Sequence, residues 1–216
     1  MNPQQCREAV VYAAHKIYER QMVNTNEGNV SVCYDGRVYI TPSQVCKELL
    51  TPEMIVVTNL EGNQLEGTGK ASSELLLHLE VYRCRPDVHS VVHTHSPFAT
   101  AFAIARKPIE TKAYTEMIYF YDKIPVAAYG APGTPAITAD VGRVLKMSDV
   151  FLLANHGAVA VGKDATDAYL KAESMESLAK TLTINRIIGG EAPLSDEELE
   201  FMYRQRKEKL GLGRVE

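Results

Sequence analysis

The sequence predicts an α/β fold, a mixed sheet covered on its faces by helices. Three features carry that expectation: an Asp35-Gly36 pair between two β-prone runs, short apolar runs through the middle of the chain, and helical periodicity at both ends. With 216 residues, 45% of them hydrophobic, the chain can bury one sizeable core but hardly two. No internal repeat, low-complexity tract or Pro/Ser-rich linker divides it, so residues 1–216 are expected to form a single domain.

Taken in order, residues 4–22 place Ala9, Val10, Ala13, Ala14 and Ile17 on one face of a helix. Asn29–Tyr34 and Arg37–Thr41 flank Asp35-Gly36, and a two-residue Asp-Gly link between β-prone runs is a strong hairpin signal. Met54–Thr58 reads as a further strand, and the glycine-rich stretch Glu61–Lys70 reads as turns. Ser72-Ser73-Glu74 opens a helix running to about Cys84, which puts Glu74 in its first turn. A strand begins at His89 and gives out before Pro97, and Phe98–Ala105 is helical. Val150–Ala154 and Ala158–Val161 are apolar runs consistent with buried strands, joined through Asn155-His156-Gly157, so His156 sits in a tight turn. Asp164 caps a long helix to about Ile188, whose stripe is Ala168, Ala172, Met175, Ala179 and Leu182. Ser195-Asp196-Glu197-Glu198 has the capping-box pattern of a last helix.

Composition narrows the partners. Lys plus Arg number 23 against 27 Asp plus Glu, and no run of like charge resembles a nucleic-acid arm or a membrane patch. Neither nucleic acid nor membrane is an expected partner. The opening residues carry charge where a signal peptide needs an apolar stretch, and no segment reaches the roughly 18 apolar residues of a transmembrane helix, so the cytoplasm is the expected compartment. Cys6, Cys33, Cys46 and Cys84 include no CxxC pair, which argues for reduced structural thiols.

The chemistry concentrates on histidines. His93-Thr94-His95 lies at a strand end, where alternation sends residues two apart to one face with Cα atoms roughly 6.5 Å apart. Two imidazoles can then converge on one ion, although an HxH pair alone reads equally well as two ordinary, satisfied histidines; His156, held in its turn by Gly157, favours the metal reading. Three imidazoles suit zinc, with Mn2+ or Co2+ as alternatives and a carboxylate or water as fourth ligand. His15 and His78 lie within helices, and His89 sits roughly 13 Å back along its strand, so those three are read as structural. Glu74 is the best carboxylate candidate, although an acidic residue there also complements a helix dipole. Ser72 and Ser73 offer hydroxyls and backbone N–H groups to an anion at a helix N-terminus, or serve as plain caps.

GNVSV at 28–32, ITPS at 40–43, ASSE at 71–74, VVHTHSP at 91–97 and NHG at 155–157, in that order, resemble the class II aldolase/adducin family over nearly the whole chain. The resemblance implies one α/β domain with a central, mostly antiparallel sheet between helical layers, assembled as a homotetramer with active sites at subunit interfaces. It implies a metal-dependent lyase that splits a ketose 1-phosphate, such as L-fuculose 1-phosphate, into dihydroxyacetone phosphate and an aldehyde. Carried over by position, His93, His95 and His156 become zinc ligands, and Glu74 becomes both ligand and catalytic acid/base. Gly28, Asn29, Ser43, Gln44, Ser72 and Ser73 would bind the substrate phosphate. Tyr114 would act as an acid from a neighbouring subunit, whereas on its own it reads as a packed aromatic.

The chemistry is coherent. Breaking a carbon–carbon bond next to a ketone leaves an enediolate whose charge a divalent cation stabilises, so no lysine Schiff base is required. Neutral phosphate donors also suit an acidic chain of net charge -4. Two positions depart from the family pattern. Ser43-Gln44 stands where a Thr-Gly pair is usual, and Leu210 occupies the place of a C-terminal tyrosine, with Tyr203 about two helical turns earlier. Within the family an L-ribulose-5-phosphate 4-epimerase or a methylthioribulose-1-phosphate dehydratase is the alternative, and Glu74, rather than the aspartate typical of the epimerases, favours aldol cleavage. An adducin-like interaction module would have no physical need for converging ligands.

Overall fold

Asn2 accepts a hydrogen bond from the Gln5 N–H while the Gln5 side chain accepts one from the Asn2 N–H, and α1 (Pro3–Glu19) runs on from that reciprocal cap. The computed structural model describes residues 1–215. The helix stops at Glu19 rather than near Met22, because Gln21 turns into the left-handed region at φ 56. The hairpin of β1 (Asn29–Tyr34) and β2 (Arg37–Ile40) closes over Asp35 and Gly36, which both take positive φ as such a turn demands. After a 3-10 turn at Pro52–Met54 comes β3 (Val56–Asn59), which starts two residues later than the sequence suggests.

Turns were expected over Glu61–Lys70, but Gln64–Glu66 forms a strand, β4, paired with β3. All three of its residues are exposed, so it shows no hydrophobic alternation. Backbone pairing and the ion pairs of Glu66 with Arg7 and Arg37, at 2.6 and 2.8 Å, hold it to the sheet edge.

Then follow α2 (Leu75–Cys84), β5 (Ser90–Thr94), α3 (Pro97–Ile104), β6 (Ile109–Glu110), α4 (Thr115–Phe120), β7 (Lys123–Ile124) and β8 (Val126–Ala127). The chain closes with α5 (Val141–Leu145), β9 (Val150–Leu153), β10 (Gly157–Gly162), α6 (Ala165–Ile187) and α7 (Asp196–Leu210). One eight-stranded sheet runs in the order β4-β3-β2-β1-β5-β10-β9-β8, and β6 pairs with β7 separately. Every pair is antiparallel except β8 with β9, in agreement with the expected mostly antiparallel sheet.

Alternation along the strands divides the core. Val30, Val32, Val92, Leu152, Ala158 and Ala160 pack under α1, α3 and α6, whereas Val38, Ile40, Val91, Phe151, Val159 and Val161 pack under α2 and α5. The predicted α6 stripe of Ala168, Ala172, Met175, Ala179 and Leu182 is wholly buried, and Asp164 caps the helix. Ser195 and Glu198 form the expected capping box of α7. No helix among the described residues is long and apolar enough to cross a membrane.

Lys47, in a short 3-10 turn, is 1% exposed, and no carboxylate pairs with it among the described residues. Its ammonium donates to Val45 O at 2.9 Å and Asn26 O at 3.4 Å, which ties together the two loops that border the site below. Burial pushes its pKa down to about 8. A folded-state value below that of the unfolded chain means that the unfolded state binds more protons above about pH 8. The stability of the wild type relative to Lys47→Met should therefore rise between about pH 8 and pH 10, by up to about 1 kcal/mol per pH unit. Denaturant titrations of both proteins across that range check it, and a flat or falling difference rejects it.

Candidate functional site

β5 lies between β1 and β10, with Asn29 and Val159 both opposite His93. Alternation turns His93 to the same face as Val91, towards α2, and His95 follows just beyond the strand end. The β9–β10 turn brings in the third imidazole. Asn155 takes φ 58 there, and a Cβ on Gly157 would stand 2.5 Å from Thr94 O and 2.9 Å from His95 Cδ2. The turn can lie this close to the two rings only because Gly157 has no side chain.

Glu74 is the N-cap residue of α2, one position before the first turn in which it was expected. Its carboxylate caps nothing and points into the histidine cluster instead. The three rings stand 4.8 to 4.9 Å apart between centroids. His93 Nε2 lies 3.0 Å from His95 Nε2 and 3.2 Å from Glu74 Oε2, and His156 Nε2 lies 3.1 Å from Glu74 Oε1. One ligand atom from each of Glu74, His93, His95 and His156 falls within 4.8 Å of all the others.

The back of the cluster fixes what the front presents. His93 Nδ1 donates to Ala158 O at 2.9 Å, which turns Nε2 to the centre, bare whenever the ring is neutral. His95 Nδ1 faces Glu27 Oε2 at 3.7 Å, with its Nε2 likewise inward. Burial, then the neighbouring His93, push His95 and His156 down to about 4, so both are neutral at neutral pH, as metal ligands must be. Burial pushes the Glu74 carboxyl up, but His93, His156 and the Asn29 amide outweigh it and hold the group well below the usual carboxylate range. Burial alone would lower His93 too, yet the Glu74 carboxylate lifts it above its ordinary value. Glu74 Oε1 and His156 Nδ1 are buried with no hydrogen-bond partner. Inward lone pairs and a carboxylate packed this tightly demand positive charge between them, so three imidazoles and one carboxylate fit a divalent ion.

A cleft of ≈ 280 Å³ opens over the cluster. Gly28, Asn29, Ser43, Gln44, Ser72 and Ser73, the six residues expected to bind an anion, all line it beside Glu74, His95 and His156. A bridge between Pro42 and Ala71 draws the two serine segments together. That pairing consumes backbone donors: Ser43 N–H goes to Lys70 O at 2.9 Å and Ser72 N–H to Thr41 O at 3.2 Å. These two N–H groups are therefore not available to an anion in the cleft, whereas the serine hydroxyls are. Ser72 Oγ accepts from the Glu74 N–H at 3.3 Å, which leaves its own proton to donate elsewhere. Gln44 adopts φ 60, a conformation that glycine adopts without strain.

Some residues fall elsewhere. Tyr114 is the N-cap residue of α4, packed against the larger core and absent from the lining of the cleft. The Tyr203 hydroxyl donates to Asp122 at 2.9 Å, and Leu210 ends α7, so neither lines the cleft. Glu27, Pro132 and Gly133 line it unanticipated, because loop residues carry no periodic signal. His78 is structural in the sense expected, yet it touches the site: its Nε2 lies 2.5 Å from Asn29 Oδ1.

Known proteins share this arrangement of elements. A model of the Class II Aldolase and Adducin N-terminal domain matches residues 8–183. An L-fuculose phosphate aldolase of Methanococcus vannielii is 39% identical over 175 residues, which cover 81% of this chain and 92% of that protein. A 3-oxo-tetronate 4-phosphate decarboxylase of Haemophilus influenzae is 34% identical over 179 residues, covering 81% and 85%. A solved structure titled L-fuculose 1-phosphate aldolase superposes with a TM-score of 0.85 at 28% identity, covering 94% of this chain and 96% of that one.

Gly157→Ala tests the geometry of the cluster directly. The added methyl meets backbone and both imidazoles, so zinc affinity should fall by at least about ten-fold while the far-ultraviolet circular dichroism stays native. Wild-type affinity by competition with a chromogenic chelator would show that the turn does not set the ligand positions.

Proposed function

The chain belongs to the class II aldolase and adducin family, and on that premise we propose that it is a divalent-metal aldehyde-lyase acting on a ketose 1-phosphate such as L-fuculose 1-phosphate. The products are dihydroxyacetone phosphate and an aldehyde. The observation that carries this reading is the shared wall of the site: Ser72-Ser73-Glu74 places anion donors and the metal-site carboxylate on three consecutive residues. A phosphate and a reacting carbonyl on one small molecule are thereby held at a set separation.

His93, His95, His156 and Glu74 would hold the ion, and this donor set suits zinc. Bound there, the cation supplies Lewis-acid stabilisation of the negative charge that develops beside the carbonyl. The chain's own groups do the rest. Gly28, Asn29, Ser43, Gln44, Ser72 and Ser73 anchor the phosphate with neutral donors. Glu74 Oε2 accepts from Asn29 Nδ2 at 2.8 Å, whereas Oε1 accepts no hydrogen bond, so Oε1 is the oxygen that takes or returns a proton.

Tyr114 does not line its own cleft, so the acid role on the aldehyde side that the family resemblance implies for it would be exercised from a neighbouring subunit of a homotetramer. Residues 1–216 act as one aldolase-type domain in the cytoplasm, with neither nucleic acid nor membrane as partner. Loss of carbon dioxide from a 3-oxo acid phosphate leaves charge in the same place, and the decarboxylase relative makes that the second reading.

The test is a panel of ketose 1-phosphates, ribulose 5-phosphate and a 3-oxo-tetronate 4-phosphate offered to the zinc-loaded protein. Dihydroxyacetone phosphate and one equivalent of aldehyde from a ketose 1-phosphate is the expected outcome, whereas an epimer, or carbon dioxide with dihydroxyacetone phosphate from the 3-oxo-tetronate 4-phosphate and no cleavage of the ketoses, assigns the other reactions, and a protein that binds no stoichiometric divalent ion refutes all three. Glu74→Gln should keep much of its metal and lose about 10²- to 10⁴-fold in turnover, because an amide cannot exchange the proton. Near-normal turnover would rule Glu74 out as the base. Tyr114→Phe should lower kcat roughly ten-fold or more with little change in KM, and unchanged kinetics would reject its acid role.

A further inference from the structure

Beneath Glu74 a line of buried polar groups runs between α2 and β1. Glu74, His78 and Tyr82 recur at every fourth residue and so share one face of α2 from its N-cap onward, while Asn29 and Ser31 share one face of β1 opposite them. All five are buried, between 0% and 7% exposed. They touch in series: Tyr82 Oη to Ser31 Oγ at 2.5 Å, Ser31 Oγ to His78 Nδ1 at 2.6 Å, His78 Nε2 to Asn29 Oδ1 at 2.5 Å, and Asn29 Nδ2 to Glu74 Oε2 at 2.8 Å.

The direction of the series follows from its end. An ionised carboxylate only accepts, so the Asn29 amide must present its N–H to Glu74 and its oxygen to His78. His78 Nε2 then carries the proton and Nδ1 is bare, because burial keeps the ring neutral. Ser31 has one proton and gives it to Nδ1, so the Tyr82 hydroxyl must donate to Ser31.

We propose that Tyr82, Ser31 and His78 form a one-way hydrogen-bond chain that locks the Asn29 amide with its N–H towards Glu74, which makes His78 a positioning residue for the carboxylate that moves the proton. The lock matters because an asparagine amide has two orientations of nearly equal shape. Flipped, it would set its oxygen against a buried carboxylate and release Glu74 Oε2. Held, it pins Oε2 and leaves only Oε1 to act. The kinetic part of this proposal rests on the aldolase reading, whereas the direction of the chain does not.

Imidazole nitrogen spectra of the zinc-loaded protein decide the direction: His78, assigned by its loss in His78→Gln, should be the neutral Nε2–H tautomer. An Nδ1–H or charged ring overturns the chain even if the protein cleaves no sugar phosphate, and absence of cleavage with the expected tautomer sinks the aldolase reading instead. In the active protein, His78→Leu should lower kcat about ten-fold or more with a clearly smaller change in KM, while zinc stoichiometry stays near wild type. His78→Gln, whose amide N–H can still donate to Asn29, should recover part of that loss. Ser31→Ala, which hardly alters volume, should introduce the Nδ1–H tautomer and lower kcat several-fold, and it tests the chain if the leucine variant does not fold. Wild-type kcat in His78→Leu, or wild-type kcat and tautomer in Ser31→Ala, overturns the proposal.

Discussion

The register of β5 between β1 and β10 is the constraint on which the rest of this molecule depends. With Asn29 and Val159 both opposite His93, the asparagine of the cleft, the first histidine of the cluster and the turn carrying His156 finish at one end of the sheet. Strand side chains have a period of two, so a slip of one residue would send His93 to the α6 side and bring Thr94 to the α2 side. Val30, Val32 and Val92 on one face and Val91, Val159 and Val161 on the other make such a slip costly, because the two apolar layers would each take in polar groups.

Around that register the site departs from what local stability alone would favour. Glu74 occupies an N-cap position but spends its carboxylate on the histidines, so α2 begins without a side-chain cap. Gln44 and Asn155, both non-glycine, sit at positive φ in the loops that border the cleft or carry His156. Lys47 is buried as a cation without a carboxylate, bonded to the carbonyls of Asn26 and Val45. Each of these costs of order a kilocalorie or more, and the two apolar layers offset them.

Much of this was legible in the residues because it is periodic or local. The Asp35-Gly36 hairpin, the α6 stripe and the Ser195–Glu198 box are short-range patterns, and they form as read. The three histidines were legible because alternation and a glycine-held turn are geometric statements, and the structure brings them together with Glu74. What escaped lacks those signals. β4 is exposed on both faces, and β6, β7 and β8 are two residues long, too short to show alternation. That the Ser72 N–H is spent on Thr41, and that His78 meets Asn29, depends on contacts between distant segments that no spacing encodes.

The His93–Ala158 bond joins residues 65 apart along the chain, and the Asn29–Glu74 bond joins residues 45 apart. Loops of that length close late, since their entropy must be lost before any contact compensates. During synthesis the segment bearing His156 emerges only after more than two thirds of the chain has left the ribosome, and until β10 pairs with β5 there is no third imidazole near the other two. A growing chain thus carries His93 and His95 without the imidazole that completes the cluster. An ion that needs all four groups could then be captured only by molecules whose central sheet has already formed, and a wrongly paired chain would have little means of being trapped by it.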